Sequence, residues 1–200
     1  MTVKDADRRV GPVTGAALAF ARLMDRVSDL LGGISTYLVI VLVLVGFANV
    51  LLRYVGEAVG RRLTSNDVIE AQWYLYGMVF LLVLPYVLRH QINVRVDFWF
   101  ADFPARRKAW IDIVGHLLGL LPFALLGIWI SWPAVRRSWR IGETTPEGGL
   151  PLAPIKTLIL VAMILLFLQG LAEMVKLVAV LRGVEIEERE AVRDVPLRIE

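Results

Sequence analysis

Residues 34–52 read ISTYLVIVLVLVGFANVLL, nineteen positions interrupted only by Ser35, Thr36 and Asn49. A hydrocarbon layer about 30 Å thick takes roughly 20 helical residues at a rise of 1.5 Å each. This stretch is therefore long and apolar enough to cross a membrane, and three more of its kind follow. Residues 68–88 carry Glu70 and Gln72 only in their first turns. Residues 110–132 carry Asp112 and His116 near their start, and residues 157–181 hold Gln169, Glu173 and Lys176 in their second half. One such run is compatible with a buried core helix, but soluble domains seldom hold four. The runs are continuous, whereas a spanning β-barrel shows short alternating segments. The fold class expected is all-α: an integral membrane protein of four transmembrane helices with short amphipathic interfacial helices. The spans are placed at about residues 30–53, 67–89, 105–132 and 156–181. An N-terminal arm (1–29) precedes this membrane domain (30–181), and a charged tail (182–200) follows it.

Composition agrees. Hydrophobic residues make up 57% of the 200 and charged residues 20%, against roughly 45–50% and about 25% in soluble domains. That balance excludes an ordinary soluble domain, a disordered chain and a nucleic-acid binder. With no cysteine, disulfide scaffolds, thiolate metal sites and cysteine catalysis are excluded as well. The net charge of +3 matters through its distribution. Five basic residues lie in the arm (Lys4, Arg8, Arg9, Arg22, Arg26) and five between spans two and three (Arg89, Arg95, Arg106, Arg107, Lys108). Four more lie in the tail, so one face carries fourteen. The other carries seven: Arg53, Arg61, Arg62, Arg136, Arg137, Arg140 and Lys156. The positive-inside rule then puts both termini in the cytoplasm and the loop 142–154 in the periplasm.

Local patterns add detail. Residues 13–24 include Arg22 and lack a small-residue cleavage site, so they do not read as a signal peptide. Leu18, Ala21, Leu23, Met24 and Val27 have helical spacing, as in an interfacial or entry helix. Asp67 and Glu70 have capping-box spacing at the start of span two. Asp97 is expected to cap a short amphipathic helix that sets Trp99 and its phenylalanine neighbours at headgroup depth. In span three, Gly115 and Gly119 form a GxxxG pair that admits a close helix. Pro122 suggests a bend. From Pro104 to Arg140 that helix would measure about 55 Å, so either it tilts and protrudes or Pro133 divides it.

No HExxH, phosphate-binding loop, dinucleotide fingerprint or nucleophile elbow occurs. The two histidines, His90 and His116, do not make a convincing haem pair. No residue is assigned a catalytic, cofactor-binding or metal-binding role. Intramembrane polar groups are functional candidates by default, and Asn49, His116 and Gln169 are the deepest. Glu70, Asp112, Glu173 and Lys176 lie near enough to an edge to reach water or snorkel. Arg53 and Glu70 fall at similar depth and are expected to pair.

Three stretches resemble the DctQ-type small membrane subunit of tripartite ATP-independent periplasmic (TRAP) transporters. EAQWYLYGMVF (70–80) is similar to that family's acidic, aromatic-rich second helix. NVRVD (93–97) is similar to its H-V-x-V-D exit, with Asn93 in place of the histidine and Gln91 near the usual glycine. WRIGETT (139–145), with Leu150-Pro151 and Pro154-Ile155-Lys156, is similar to its W-x-x-G-E-[ST] and P-x-K loop. Leu168-Gln169 matches a further pair.

The resemblance implies a scaffold in the bacterial inner membrane. It would pair with a large permease subunit that carries substrate and sodium. A periplasmic solute-binding protein would deliver an organic acid. No cofactor or nucleic acid is implied for this chain. Partner-docking candidates are Glu70, Trp73, Tyr74, Gly77, Gly115, Gly119 and Gln169; interfacial and periplasmic-loop candidates are Asp97, Trp99, Gly142, Glu143, Pro151, Pro154 and Lys156. The alternative is a self-contained membrane protein, such as a redox-chain anchor or an oligomeric channel.

Overall fold

The computed structural model describes residues 12–92, 103–146 and 149–182. Asp97 and Trp99, with the amphipathic helix expected there, fall outside the described residues. Helix α1 spans Pro12–Val59, α2 spans Asn66–Arg89 and α3 spans Ala105–Gly115. A π-helical turn, His116–Leu120, joins α3 to α4, Leu121–Ile141; α5 spans Ala153–Leu181. The described residues contain no strand, only an isolated bridge between Thr144 and Pro151. Four helical rods are long and apolar enough to cross a membrane, with α3, the π turn and α4 forming one of them.

The expected arm and first span are a single helix. α1 has 48 residues, about 72 Å at 1.5 Å per residue, more than twice the hydrocarbon thickness. The stretch expected to lie on the interface continues unbroken into the span, and its Ala21 and Met24 are buried against Ala172 of α5. Leu23, by contrast, stays exposed. The third span likewise runs through Pro133 and stops only at Gly142. The irregularity falls earlier, in the π turn just before Pro122. A proline cannot donate to the carbonyl four residues back, and an added backbone unit is one way to accommodate it.

Three helices end in one way. The N–H of Gly60 (φ +69°) bonds Glu57 O at 3.3 Å while that of Arg61 bonds Gly56 O at 2.8 Å, the two bonds of a Schellman motif. Gly142 (φ +61°) closes α4, with Glu143 N–H on Ser138 O at 3.3 Å. α2 closes through Gln91, whose φ is +51° although it carries a side chain. At the other end of α2, Ser65 is the N-cap and its hydroxyl bonds Asp67 at 3.4 Å. The expected Asp67/Glu70 capping box is therefore not formed.

α5 is the central element. Its buried residues include Ala162, Leu166, Gln169, Gly170, Glu173 and Leu177, the three- and four-residue spacing of helix faces in contact. Ile113 and Ala109 of α3 pack on Leu177. Close approach comes from glycines: a Cβ at Gly170 would fall 2.9 Å from Leu120, and one at Gly127 would fall 2.7 Å from Met163 Sδ. Lipid provides no hydrophobic drive for helix association, so such small-residue contacts carry the packing at mid-depth. The four rods run up and down. The start of α1, the end of α2, the start of α3 and the end of α5 share one end of the bundle.

Candidate functional site

Two polar clusters, one at each end of the bundle, gather Glu70, Gln169, Glu173 and Lys176 from the polar residues singled out above. The first ties the α4–α5 loop to α2. Thr145 donates its hydroxyl to Glu70, and the Tyr74 hydroxyl donates to the carbonyl of Pro151. Within the loop, Thr145 N–H bonds Leu150 O at 2.9 Å, Leu150 N–H bonds Thr145 Oγ1 at 3.0 Å, and Leu152 N–H bonds Glu143 O at 2.8 Å. Trp139 Nε1 donates to Thr157 Oγ1 at 2.9 Å, joining α4 to α5. Lys156 pairs with Glu143 and holds its carboxyl below the usual carboxylate range, with Arg137 adding to the effect. Gly142 supplies the left-handed turn that starts the loop, and Pro154 sits in the first turn of α5.

This cluster corrects the expected Arg53–Glu70 pair. Glu70 is bound to Thr145, and Arg53 is exposed without an ion pair to it. It also changes the meaning of two docking candidates, because the polar groups of Glu70 and Tyr74 are engaged within the chain.

The second cluster is buried and was not expected. Gln169 Nε2 donates to Asp25 Oδ1 at 3.0 Å and to Glu173 Oε1 at 3.2 Å, while Ser28 Oγ donates to Gln169 Oε1 at 2.9 Å. Lys176 Nζ lies 2.9 Å from Asp25 Oδ1 and also pairs with Glu173. Arg89 of α2 reaches Asp25 at 3.8 Å and pairs with Asp29, which His90 Nε2 meets at 3.0 Å. Exposure decides its character: Asp25 3%, Ser28 0%, Gln169 0%, Glu173 2% and Lys176 7%. Glu173 and Lys176 therefore do not snorkel to water. They satisfy one another inside the protein, as buried charges must. Gln169 belongs to this cluster and is no docking residue.

The signal for it was periodicity. Gln169, Glu173 and Lys176 stand at i, i+4 and i+7, and Asp25, Ser28 and Asp29 at i, i+3 and i+4. Each set is one polar stripe on an otherwise apolar helix face.

The remaining candidates divide by where they face. Gly77 packs inward, where a Cβ would meet Ile155 at 3.4 Å. Gly115 and Gly119 have nothing within 4 Å of the position a Cβ would take, so no other part of the described chain covers them. Trp73 is 74% exposed and shares an outward face of α2 with Tyr76 and Phe80.

No group of three metal-ligating side chains occurs among the described residues. Four apolar rods, clamped by hydrogen bonds and ion pairs at their ends, make the chain a multi-pass membrane protein. Residues 42–180 match the model of the DctQ component of tripartite ATP-independent periplasmic transporters. The chain belongs to that family, and so to the membrane components of a transport system rather than to an enzyme family. No curated protein and no solved structure gives a significant match.

Proposed function

We propose that this chain is the scaffold subunit of a TRAP transporter of the bacterial inner membrane, with both termini in the cytoplasm. It pairs with a large permease subunit that carries the substrate and the coupling ion, sodium. A periplasmic solute-binding protein delivers the substrate, an organic acid. The observation that carries this reading is the division of polar and small groups between inside and outside. The charged groups at the two clusters make contacts within the chain, and the helix faces between the clusters are mainly apolar. The open Gly115/Gly119 face and the Trp73 face are the parts of that exterior suited to a partner helix. The first allows close backbone approach; the second offers aromatic surface.

Co-purification tests it. Gly115→Leu and Gly119→Leu should lower the yield of complex with the permease while each assembled complex transports normally. Interhelical contacts in lipid are worth about 1 kcal/mol each, so a single change weakens assembly rather than abolishing it. A Gly115→Leu complex formed at full yield but altered in substrate affinity or ion coupling would place this subunit in the transport pathway instead. Topology has its own test. A cysteine at Thr145 should be labelled from the periplasm, and labelling only after permeabilisation would reverse the orientation.

A further inference from the structure

Beside Asp29, helices α1 and α2 part to leave an open cleft of about 530 Å³. Its lining changes along the helix axes. Asp29, Tyr86 and His90 stand at one end, and Val39, Val79 and Val83 at the other. The Ser35 and Thr36 hydroxyls between them are spent on the carbonyls of Leu31 (2.9 Å) and Gly32 (3.1 Å), so the middle offers little polarity. From Asp29 to Val39 is ten residues, about 15 Å of helix, half of a hydrocarbon layer about 30 Å thick. The cleft thus has the depth of one leaflet, polar where headgroups lie and apolar toward the midplane.

The polar end carries both signs. Asp29 keeps 46% of its side chain exposed although it pairs with Arg89 and His90, and the His90 side chain is 36% exposed. A half-exposed carboxylate beside the imidazole of His90 matches a headgroup holding an ammonium and a phosphate together. The ammonium would meet the exposed part of Asp29 and the phosphate the exposed edge of His90. A purely anionic headgroup would face the exposed half of the Asp29 carboxylate unfavourably. A partner helix is a poorer fit, because a spanning helix would run the full depth of the membrane and the cleft covers about half of it.

We propose that this cleft binds one phospholipid with a primary-amine headgroup, phosphatidylethanolamine, with an acyl chain lying along Val39, Val79 and Val83. Gly33 keeps the space open: it lines the cleft, and a Cβ there would meet nothing within 4 Å. Its neighbour Gly32 is instead covered by the Tyr86 ring. A larger residue at 33 therefore fills the cleft without disturbing an existing contact at its Cβ.

The test uses the full chain in native membranes with its partners present. A photoreactive residue at Val83 is irradiated and the chain's intact mass and adduct are read. The expected product is a one-to-one adduct enriched in phosphatidylethanolamine over phosphatidylglycerol relative to the bulk membrane. Gly33→Leu should reduce it at least about tenfold, and Asp29→Asn should lower the enrichment severalfold. Val39→Phe, which narrows the apolar end, provides a second block should Gly33→Leu express poorly. An adduct with another polypeptide would assign the cleft to a protein partner. A lipid adduct of bulk composition, unchanged by either blocking substitution and by Asp29→Asn, would also overturn the proposal.

Discussion

Replacing Lys176 with Met removes the one ammonium that faces both buried carboxylates. Lys176 Nζ lies 2.9 Å from Asp25 Oδ1 and pairs with Glu173, and the two acids are 3% and 2% exposed. Methionine keeps the length and apolar stem of lysine, so packing changes little. The two carboxylates then share the amide of Gln169, and Arg89 reaches Asp25 at 3.8 Å. Removing one partner of a buried pair typically costs about 3–5 kcal/mol, most of it the uncompensated charge left behind. The residual contacts to Gln169 and Arg89 place this case near the lower end. About 3 kcal/mol is roughly a hundredfold or more in the folded-to-unfolded ratio, and about 6–12 °C in midpoint for a chain of this size.

Thermal unfolding of the purified chain in lipid nanodiscs reads the effect. The control is decisive. Asp25→Asn and Glu173→Gln added to Lys176→Met leave no buried charge at the centre, and neutral replacement of a buried ion cluster is often nearly isoenergetic. The triple variant should therefore recover most of the loss. A Lys176→Met protein that unfolds within a degree or two of the parent would show that these groups are hydrated. A triple variant less stable than the single one would show that the attraction, not the stranded charge, is the dominant contribution.

Three further outcomes are expected. Gln91→Gly should stabilise the chain by about 1 kcal/mol, because a side chain at φ +51° is strained and glycine is not; equal or lower stability in nanodiscs would contradict the assigned helix end. The Glu143 carboxyl is held below its ordinary range by Lys156, so the pair contributes fully above that range and is lost as pH falls through the lowered value. Trp139 fluorescence and protease cleavage of the loop should therefore stay constant from pH 7 down to the ordinary carboxylate range and change only below it. Lys156→Ala should loosen the loop already at neutral pH and move the acid transition up. Gly127→Ala sets a Cβ 2.7 Å from Met163 Sδ and should cost about 1–3 kcal/mol by overpacking, less if the methionine swings aside. Gly119→Ala, in open space, should leave the stability of the isolated chain unchanged.

The four-span all-α architecture was legible because a run such as residues 34–52 answers only to the bilayer's thickness, a number that does not depend on the rest of the chain. The lengths were not. Residues 12–29 are too polar to be read as part of a span, with Arg22, Asp25, Arg26, Ser28 and Asp29 among them. Yet Asp25 and Ser28 are matched by Gln169 and Lys176, more than 140 positions away in sequence. A hydropathy pattern registers the cost of a charge but not the partner that offsets it. For the same reason hydropathy alone sends Glu173 and Lys176 toward water. The family-like loop residues Gly142, Glu143, Pro151, Pro154 and Lys156 stand together at the junction of α4 and α5, but their bonds are not legible in the sequence. Which carboxylate Thr145 reaches depends on how α2 and α4 are rotated against each other.

The glycines carry that argument one step further. Gly77, Gly127 and Gly170 are indistinguishable in sequence from Gly115 and Gly119, since each stands in an apolar helix. The structure places the first three against Ile155, Met163 and Leu120 and leaves the last two open. A GxxxG spacing states only that a close approach is possible on one face; the rotation of the helix decides who approaches. That rotation is set by α5. Its Gly170 receives the π turn, while its stripe from Gln169 to Lys176 binds α1 and engages α2 through the contact of Asp25 with Arg89. With both ends of the bundle tied by directional polar contacts and the middle held by glycine-sized gaps, turning one helix would strand a buried charge or drive a side chain into backbone. Such a frame resists deformation within itself. It is suited to offering a fixed surface against which another element moves.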